Sequence, residues 1–99
     1  MTEHLEAIAS INRSMWEKVT PDLRAVAYDL TDSTLSARWI FDREPSSERL
    51  EMVSLAEAEC VADYWQTHAV RFHAHHIDAA LPLILSENER WLFLRHEGS

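Results

Sequence analysis

Apolar residues recur at helical spacing near the amino terminus and at alternate positions in the two segments that follow. Between residues 3 and 19, one apolar stripe at i, i+3 and i+4 spacing predicts an amphipathic helix. Thr20-Pro21 ends this helix, because proline disfavours the helical conformation of the residue before it. The predicted inward positions are Leu5, Ile8, Asn12, Met15, Trp16 and Val19, with Ile11 beside them.

Segments 23–30 and 35–42 are predicted to be strands, separated by a cluster of turn-forming residues at 31–34. The second segment has the clearer alternation of apolar and polar positions, with Ile40 as its exception. Because a four-residue connection suits antiparallel pairing, the two segments should form a hairpin that packs one face on helices. The apolar face of the second strand consists of Leu35, Ala37, Trp39 and Phe41.

A second helix is predicted from the start signal Pro45-Ser46-Ser47 to Tyr64, and it carries the densest acidic charge in the chain. Glu57 falls within the apolar stripe of this helix, so its carboxylate must lie at the rim or pair with an arginine. Met52 and Leu55 fall on the outward side, among carboxylates. The predicted inward residues are Leu50, Val53, Cys60, Val61 and Tyr64.

Two more strands, predicted at 69–77 and 89–96, flank a longer connection that contains Pro82. The order α-β-β-α-β-β predicts a single α+β domain over residues 1–99. Its simplest architecture is a mainly antiparallel four-stranded sheet with both helices packed on one face. The alternative is a split arrangement, in which the third strand pairs parallel to one of the hairpin strands.

The chain is acidic, with seventeen carboxylates against nine bases and a formal net charge of −8. This charge repels nucleic acid and anionic membranes and attracts basic partners, although it also serves simple solubility. Eight of the nine bases are arginine, so we expect several of them to pair with the protein's own carboxylates. No apolar run of membrane-spanning length and no secretory pattern is present, so we expect a cytoplasmic protein.

The histidine cluster His68, His73, His75 and His76 is the feature that most suggests metal chemistry. On a strand, His73 and His75 project from the same face. Arg71 in line with them opposes a cation, and no His-x-x-x-His or Cys-x-x-Cys spacing supports a site. We therefore predict no metal and no cofactor, and interpret the cluster as strand decoration or a pH-responsive surface.

The sequence does not indicate a catalytic site. It has no Gly-x-Ser-x-Gly elbow and, with a single glycine, no phosphate-binding loop. Glu51 and Glu59 lie two turns apart on a convex helix surface, which lacks the cleft that separates the pKa values of an acid–base pair. The single cysteine, Cys60, is expected in the core. We predict that the protein is not an enzyme.

Binding of a basic protein is the function class that remains. Carboxylates at the end of the second strand and along the second helix can form a continuous acidic ridge. Outward apolar side chains, with Trp65 near the helix end, can supply its centre. The alternative interpretation is an ordinary solvated helix face. The predicted partner-binding residues are Asp42, Glu44, Glu48, Glu51, Met52, Leu55 and Glu59.

Four stretches of the chain resemble small bacterial immunity proteins of the contact-dependent growth inhibition type. They are V-T-P-D-L-R-A-V-A-Y (19–28), R-W-I-F-D-R-E-P-S-S-E (38–48), S-L-A-E-A-E-C-V-A-D-Y (54–64) and W-L-F-L-R (91–95). Two features depart from the pattern of that family, namely Arg43 in place of the usual turn glycine and the histidine cluster.

The resemblance implies an immunity protein that binds and neutralises a toxin domain, commonly a nuclease, in the cytoplasm. An acidic inhibitor suits the basic groove of a nuclease. The resemblance also implies that Glu57 and Asp63 serve the fold, since residues shared by members with different partners do not set specificity. The alternative function is a small homo-oligomeric or regulatory protein-binding module that uses the exposed sheet face. The oligomeric state is left open.

Overall fold

Two helices and four strands form the fold, which a computed structural model describes for residues 2–64 and 67–96. The predicted α+β class, with two helices and a four-stranded sheet, is confirmed. Neither described helix is long and apolar enough to cross a membrane. The elements are α1 (Thr2–Ser14), β1 (Leu23–Leu30), β2 (Thr34–Phe41), α2 (Ser47–Tyr64), β3 (Ala69–His76) and β4 (Arg90–Leu94).

The strands lie in the order β3-β2-β1-β4 within one sheet. β1 is antiparallel to both of its neighbours, so the predicted hairpin of β1 and β2 is confirmed. β3 instead runs parallel to β2, from Thr34 opposite Ala69 to Phe41 opposite His76. The prediction of a mainly antiparallel sheet is therefore wrong, because the sheet is mixed. The split arrangement is confirmed.

The parallel pairing follows from the length of α2, which is the crossover between β2 and β3. Its 18 residues span about 27 Å. A helix of this length carries the chain back from the end of β2 to the level where β2 begins. A tight turn would give an antiparallel neighbour, whereas a helical crossover gives a parallel one.

α1 is shorter than predicted and turns a different side toward the core. The helix ends at Ser14, and Glu17 adopts a left-handed conformation with a φ of 63°. The prediction that Leu5, Trp16 and Val19 point inward is wrong, since all three are at least half exposed. Ala7, Ser10 and Ser14 are small, so α1 can approach α2 closely. A stripe of apolar residues does not predict that serines will be buried. The buried positions are Ala7, Ser10, Ile11, Ser14 and Met15.

α2 buries a narrow line of residues at i, i+3, i+7 and i+11 spacing, namely Val53, Ala56, Cys60 and Tyr64. Three of these were predicted from the sequence. Leu50 and Val61 were also predicted to point inward, and this is wrong because they are 50% and 37% exposed. Cys60 is fully buried, and burial raises the pKa of its thiol.

Asp63 ties the two helices together. Its carboxylate accepts hydrogen bonds from the Ser10 hydroxyl and the Arg13 guanidinium. The bond from Ser10, supported by that from Arg13, lowers the pKa of Asp63. The Ser10 oxygen also lies 3.2 Å from the Cys60 sulfur. Asp63 therefore has a structural role, in agreement with the sequence resemblance.

Glu57 lies at the rim of the core, where it caps the free edge of β3. Its Oε2 accepts a hydrogen bond from the Phe72 amide at 2.8 Å. The amides of Ala69 and Ile77 donate toward β2, so alternation along the strand turns the Phe72 amide away from β2. Of the two predicted roles for Glu57, the rim position is correct, and its partner is this backbone amide.

The main core lies between the helices and the inner face of the sheet, and its largest buried side chains are Tyr28, Trp39 and Phe41. A smaller buried region lies on the outer face of the sheet, where Ala25, Ala27 and Ile40 are fully buried. Their cross-strand pairs alternate with those of the core residues, so they point away from the helices.

An ion pair between Arg38 and Glu89 closes over this outer face. The Arg38 Nε and Nη2 each donate to a different carboxylate oxygen at 2.7 Å. The Arg38 Nη2 also donates to the Ile84 carbonyl at 3.1 Å, which holds the β3–β4 connection against β2. Burial opposes ionisation of Glu89, but the hydrogen bonds from Arg38 and the Ser86 amide outweigh it and lower the pKa of Glu89.

Glu57→Ala should destabilise the fold by about 1–2 kcal/mol, because it leaves the Phe72 amide without its acceptor. Glu51→Ala, on the exposed side of the same helix, is the matched control and should change the free energy of unfolding by less than about 0.5 kcal/mol. Urea denaturation measures both. Equal losses in the two variants would show that the edge cap contributes nothing.

Glu89→Gln should cost about 2 kcal/mol at neutral pH, because it weakens a largely buried charged pair. The folded state lowers the pKa of Glu89 below its ordinary value of 4.5. The stabilisation is therefore present above that value and is lost as the pH falls through the lower folded pKa. The difference between the wild type and the variant should shrink accordingly in urea melts between neutral and strongly acidic pH.

The exposed neighbour Glu87 supplies the control for this experiment. Glu87→Gln should leave both the stability and its pH dependence unchanged. If the difference in the free energy of unfolding between the wild type and Glu89→Gln stays constant down to the lowest pH measured, the assignment of the ion pair is contradicted.

Candidate functional site

The outward stripe of α2 carries Glu48, Met52, Leu55 and Glu59 at i, i+4, i+7 and i+11 spacing. Residues at these spacings lie on one side of a helix. Part of the stripe forms a depression of about 430 Å³, lined by Ser47, Glu48, Glu51, Met52 and Leu55. Four of the seven predicted partner-binding residues therefore line this depression, and a fifth, Glu59, lies on the same stripe.

A second depression, of about 580 Å³, adjoins the first and extends it toward the end of α1. The two share Glu48 and Met52. The second depression is lined by Trp16, Glu17, Lys18, Thr20, Glu48, Arg49 and Met52. We call the combined surface the helix-side groove and define it by Trp16, Glu17, Glu48, Glu51, Met52 and Leu55.

Sequence reasoning missed two residues of this surface, Trp16 and Glu17, and it placed Trp16 in the core because this residue falls on the apolar stripe. Its side chain is 75% exposed, and its indole nitrogen donates to the Glu17 carboxylate at 3.2 Å. The turn beneath it is closed by the Lys18 amide, which donates to the Met15 carbonyl at 2.8 Å. One signal was available, since the predicted stripe also contained the polar residue Asn12, which is exposed.

Ion pairs neutralise only part of the negative charge along the groove. Lys18 Nζ donates to Glu59 at 2.9 Å, and Arg49 Nη1 donates to Glu48 at 2.9 Å. Arg49 is itself shared, because its Nε also donates to both carboxylate oxygens of Asp22 at 3.2 Å. Among the described residues, Glu51 has no cationic partner. The groove therefore keeps a negative potential around an apolar centre.

Asp22 fixes the position of Arg49, which lines the groove. Burial opposes ionisation of this carboxylate, but hydrogen bonds from Thr20 and Arg49 outweigh burial and lower the pKa of Asp22. The resulting carboxylate holds the guanidinium of Arg49 in place behind Glu48. Arg49 thus belongs to the framework of the groove.

Neither Asp42 nor Glu44 lines the groove. Asp42 accepts hydrogen bonds from Arg43 at 3.0 Å and from Arg95 at 2.9 Å, and its side chain is only 15% exposed. Burial opposes its ionisation, but these two arginines prevail and lower the pKa of Asp42. Glu44 lines a third depression, next to Pro21, which meets the groove's second depression at Arg49. The predicted ridge is thus interrupted after β2, and the predicted contribution of Trp65 lies outside the described residues.

Of the histidines of β3, His73 and His75 lie on the outer face of the sheet, and His76 ends the strand opposite Phe41. The ring centroids of His73 and His75 are 6.4 Å apart. Burial, followed by repulsion from Arg38 and His73, lowers the pKa of His75. His76 pairs with Asp78 at 2.9 Å. Within the described part of the chain, no three His, Cys, Asp or Glu residues are arranged to hold a metal ion.

The fold and the groove together describe a small α+β binding protein, since an apolar centre ringed by polar groups is the make-up of a protein–protein interface. A family model of the MafI2 immunity protein matches residues 4–97. The chain therefore belongs to the MafI2 immunity protein family. No curated protein matches the sequence.

This membership confirms the prediction of an immunity protein. It implies a cognate toxin, which the protein binds and neutralises. Immunity protein families are generally non-enzymatic, which agrees with the lack of catalytic motifs in the sequence. The matching family is MafI2, whereas the sequence motifs resembled the contact-dependent growth inhibition type.

Proposed function

We propose that the protein neutralises a nuclease toxin in the cytoplasm by placing the helix-side groove against the basic surface that the toxin uses to bind nucleic acid. The toxin arrives from a neighbouring cell by a contact-dependent route. The observation that carries this proposal is the convergence of exposed Trp16 and Leu55 and half-buried Met52 with incompletely neutralised carboxylates on one surface.

The charge of the groove fits such a toxin. A nuclease needs a basic groove to hold phosphates, and an acidic surface of similar extent can compete with nucleic acid for that groove. Opposite charges also steer the two proteins together and raise the association rate. Rapid association matters here because the toxin must be stopped before it cleaves its substrate. The negative charge also keeps the immunity protein itself away from nucleic acid.

The apolar centre of the groove supplies the affinity. Trp16 is a large, rigid side chain beside Met52, and tryptophan is one of the residue types enriched at interface hot spots. Its exposed indole face can accept an arginine or lysine side chain from the toxin, while Glu17 and Glu48 stand close enough to balance the incoming charge. Specificity then depends on where the toxin places its cation.

A triple glutamine variant tests the electrostatic part of the proposal. The substituted residues are Glu48, Glu51 and Glu59. Their replacement by glutamine removes two charges from the groove and a third, Glu59, from the same stripe of α2 beside it, without setting new lysines against Lys18 and Arg49. Association with the toxin encoded in the adjacent upstream reading frame should slow by about tenfold at low salt and should become less sensitive to salt. Stopped-flow kinetics at several ionic strengths measures both quantities.

A control variant removes the same number of charges elsewhere, at Glu6, Asp32 and Glu87, all of which are exposed. Its association rate should fall by less than about twofold. Equal slowing in both variants would mean that net charge, and not the groove, steers the toxin.

Trp16→Ala tests the apolar part. Because the side chain is mostly solvent-exposed, the free energy of unfolding should change by less than about 0.5 kcal/mol. The dissociation constant of the toxin complex should rise on the order of 30-fold, as measured by calorimetry. Leu5→Ala removes an exposed apolar side chain on α1, outside the groove, and should leave this dissociation constant unchanged. Wild-type affinity in Trp16→Ala would rule out this surface as the binding site.

A further inference from the structure

The sheet has an open edge at β3, since no strand of the described part of the chain lies beyond it. The amides of Ala69 and Ile77 donate toward β2. Backbone groups alternate between the two sides of a strand, so the even-numbered residues of β3 direct their N–H and C=O groups away from β2. Such a row of groups is a template on which another chain can add a strand. The outward groups belong to Val70, Phe72, Ala74 and His76.

β3 lacks the features that usually protect a sheet edge, which are a short strand, a bulge or a proline. The opposite edge strand, β4, has five residues, and its register with β1 shifts between Val26 and Ala27. β3 has eight residues, contains no proline and pairs with β2 in unbroken register. The hydrogen bond from the Phe72 amide to Glu57 occupies one of the four outward amides. The edge is therefore long and regular, and it is capped only near its middle.

The flank of α2 above this edge carries exposed aliphatic side chains. Because Glu57 reaches the Phe72 amide, the residues seven before and four after Glu57 lie on the same flank of the helix. These are Leu50 and Val61, and both are partly exposed despite their hydrophobicity. A strand added to β3 would lie beneath this flank and would cover both side chains. We call the outward backbone groups of β3, together with Leu50, Glu57 and Val61, the open edge.

Charge decides which segment suits the open edge. α2 carries five carboxylates and one arginine, so its net charge is −4. Two copies of the chain that paired edge to edge would bring two such helices side by side, and these would repel each other. A basic segment would instead be attracted, and a lysine or arginine on it would compensate the Glu57 carboxylate when the Phe72 amide takes a new acceptor. The open edge therefore favours a basic partner over a second copy of the chain.

We propose that the cognate toxin adds an extended, basic segment to the open edge as a fifth strand of the sheet. In the free protein, Glu57 holds the Phe72 amide. In the complex, a backbone carbonyl of the toxin segment accepts a hydrogen bond from that amide, and a cationic side chain of the same segment pairs with Glu57. Main-chain hydrogen bonds of this kind supply affinity, whereas contacts between side chains supply specificity.

Strand addition rests on the toxin-binding function proposed above and extends it to a second contact. Met52 of the helix-side groove and Glu57 of the open edge are five residues apart, which places them about 140° apart around α2. A toxin that covers the outward stripe of α2 can therefore reach both flanks of the helix. The open edge also gives a role to Leu50 and Val61, which neither the core nor the groove uses.

Amide hydrogen exchange, resolved by NMR, tests the pairing directly in the free protein and in its complex with an inactivated toxin domain from the adjacent upstream reading frame. In the free protein, the amides of Arg71 and His73, which face β2, should exchange slowly, and those of Val70 and Ala74 quickly. In the complex, exchange at Val70 and Ala74 should slow on the order of 100-fold, while Asp32 in the β1–β2 turn should not change. Unaltered exchange at Val70 and Ala74 in a saturated complex would overturn the proposal.

Ala74→Pro removes one outward amide and spares the hydrogen bonds to β2, since an edge strand tolerates proline where its N–H faces solvent. The dissociation constant of the toxin complex, measured by calorimetry, should rise about tenfold, because one backbone hydrogen bond is lost. Ala74→Val adds a side chain of similar size, keeps the amide and should bind within about twofold of the wild type. Circular dichroism checks that both variants are folded. Equal weakening in both would contradict pairing through the backbone.

The two binding surfaces can fail independently in these experiments. If Trp16→Ala binds like the wild type while Val70 and Ala74 are protected in the complex, the helix-side groove is ruled out and the open edge is supported. If Trp16→Ala weakens binding and the two amides exchange as in the free protein, the open edge is ruled out and the proposed function is supported. A toxin domain that does not bind the wild type would overturn both.

Discussion

The parallel pairing of β3 with β2 is the constraint on which the rest of the structure depends. It requires a crossover of helical length, and α2 is that crossover. Once α2 lies across the inner face, its buried line of small and apolar residues determines which side faces outward, and this outward stripe is one wall of the helix-side groove. The same pairing makes β3 an edge strand, which Glu57 caps, and sends the β3–β4 connection over the outer face.

Most of the cationic charge of the protein is carried by arginines, and several of them form ion pairs within the chain. Arg13, Arg38, Arg49 and Arg95 each pair with a carboxylate of the chain itself, as the composition predicted. These pairs lie between elements, where planar guanidinium groups can bridge strands, helices and loops. Because the cations are used in this way, the acidic excess is left on the surface. The negative potential of the groove is thus a consequence of how the fold is held together.

Sequence reasoning was most accurate for elements whose periodic apolar side chains pack against a single neighbouring element. The alternation of β2, the hairpin and the burial of Cys60 followed from period and polarity alone. It failed for α1, where Ser10 and Ser14 are buried and Trp16 is exposed. Hydrophobicity favours tryptophan for the core, but close contact between two helices favours small residues, and Ser10 is retained there by its hydrogen bond to Asp63. For the same reason, the prediction included the four groove residues on α2 and missed Trp16 and Glu17.

The sequence by itself determined the periods, and with them the two helices, the four strands, the outward position of Met52 and Leu55 and the membership of an immunity protein family. The direction of β3, the exposure of Trp16, the withdrawal of Asp42 into ion pairs and the apolar outer face were decided only by the tertiary structure. Each of these depends on contacts between residues far apart in the chain. A local period states which residues share a face, but not which element will cover that face.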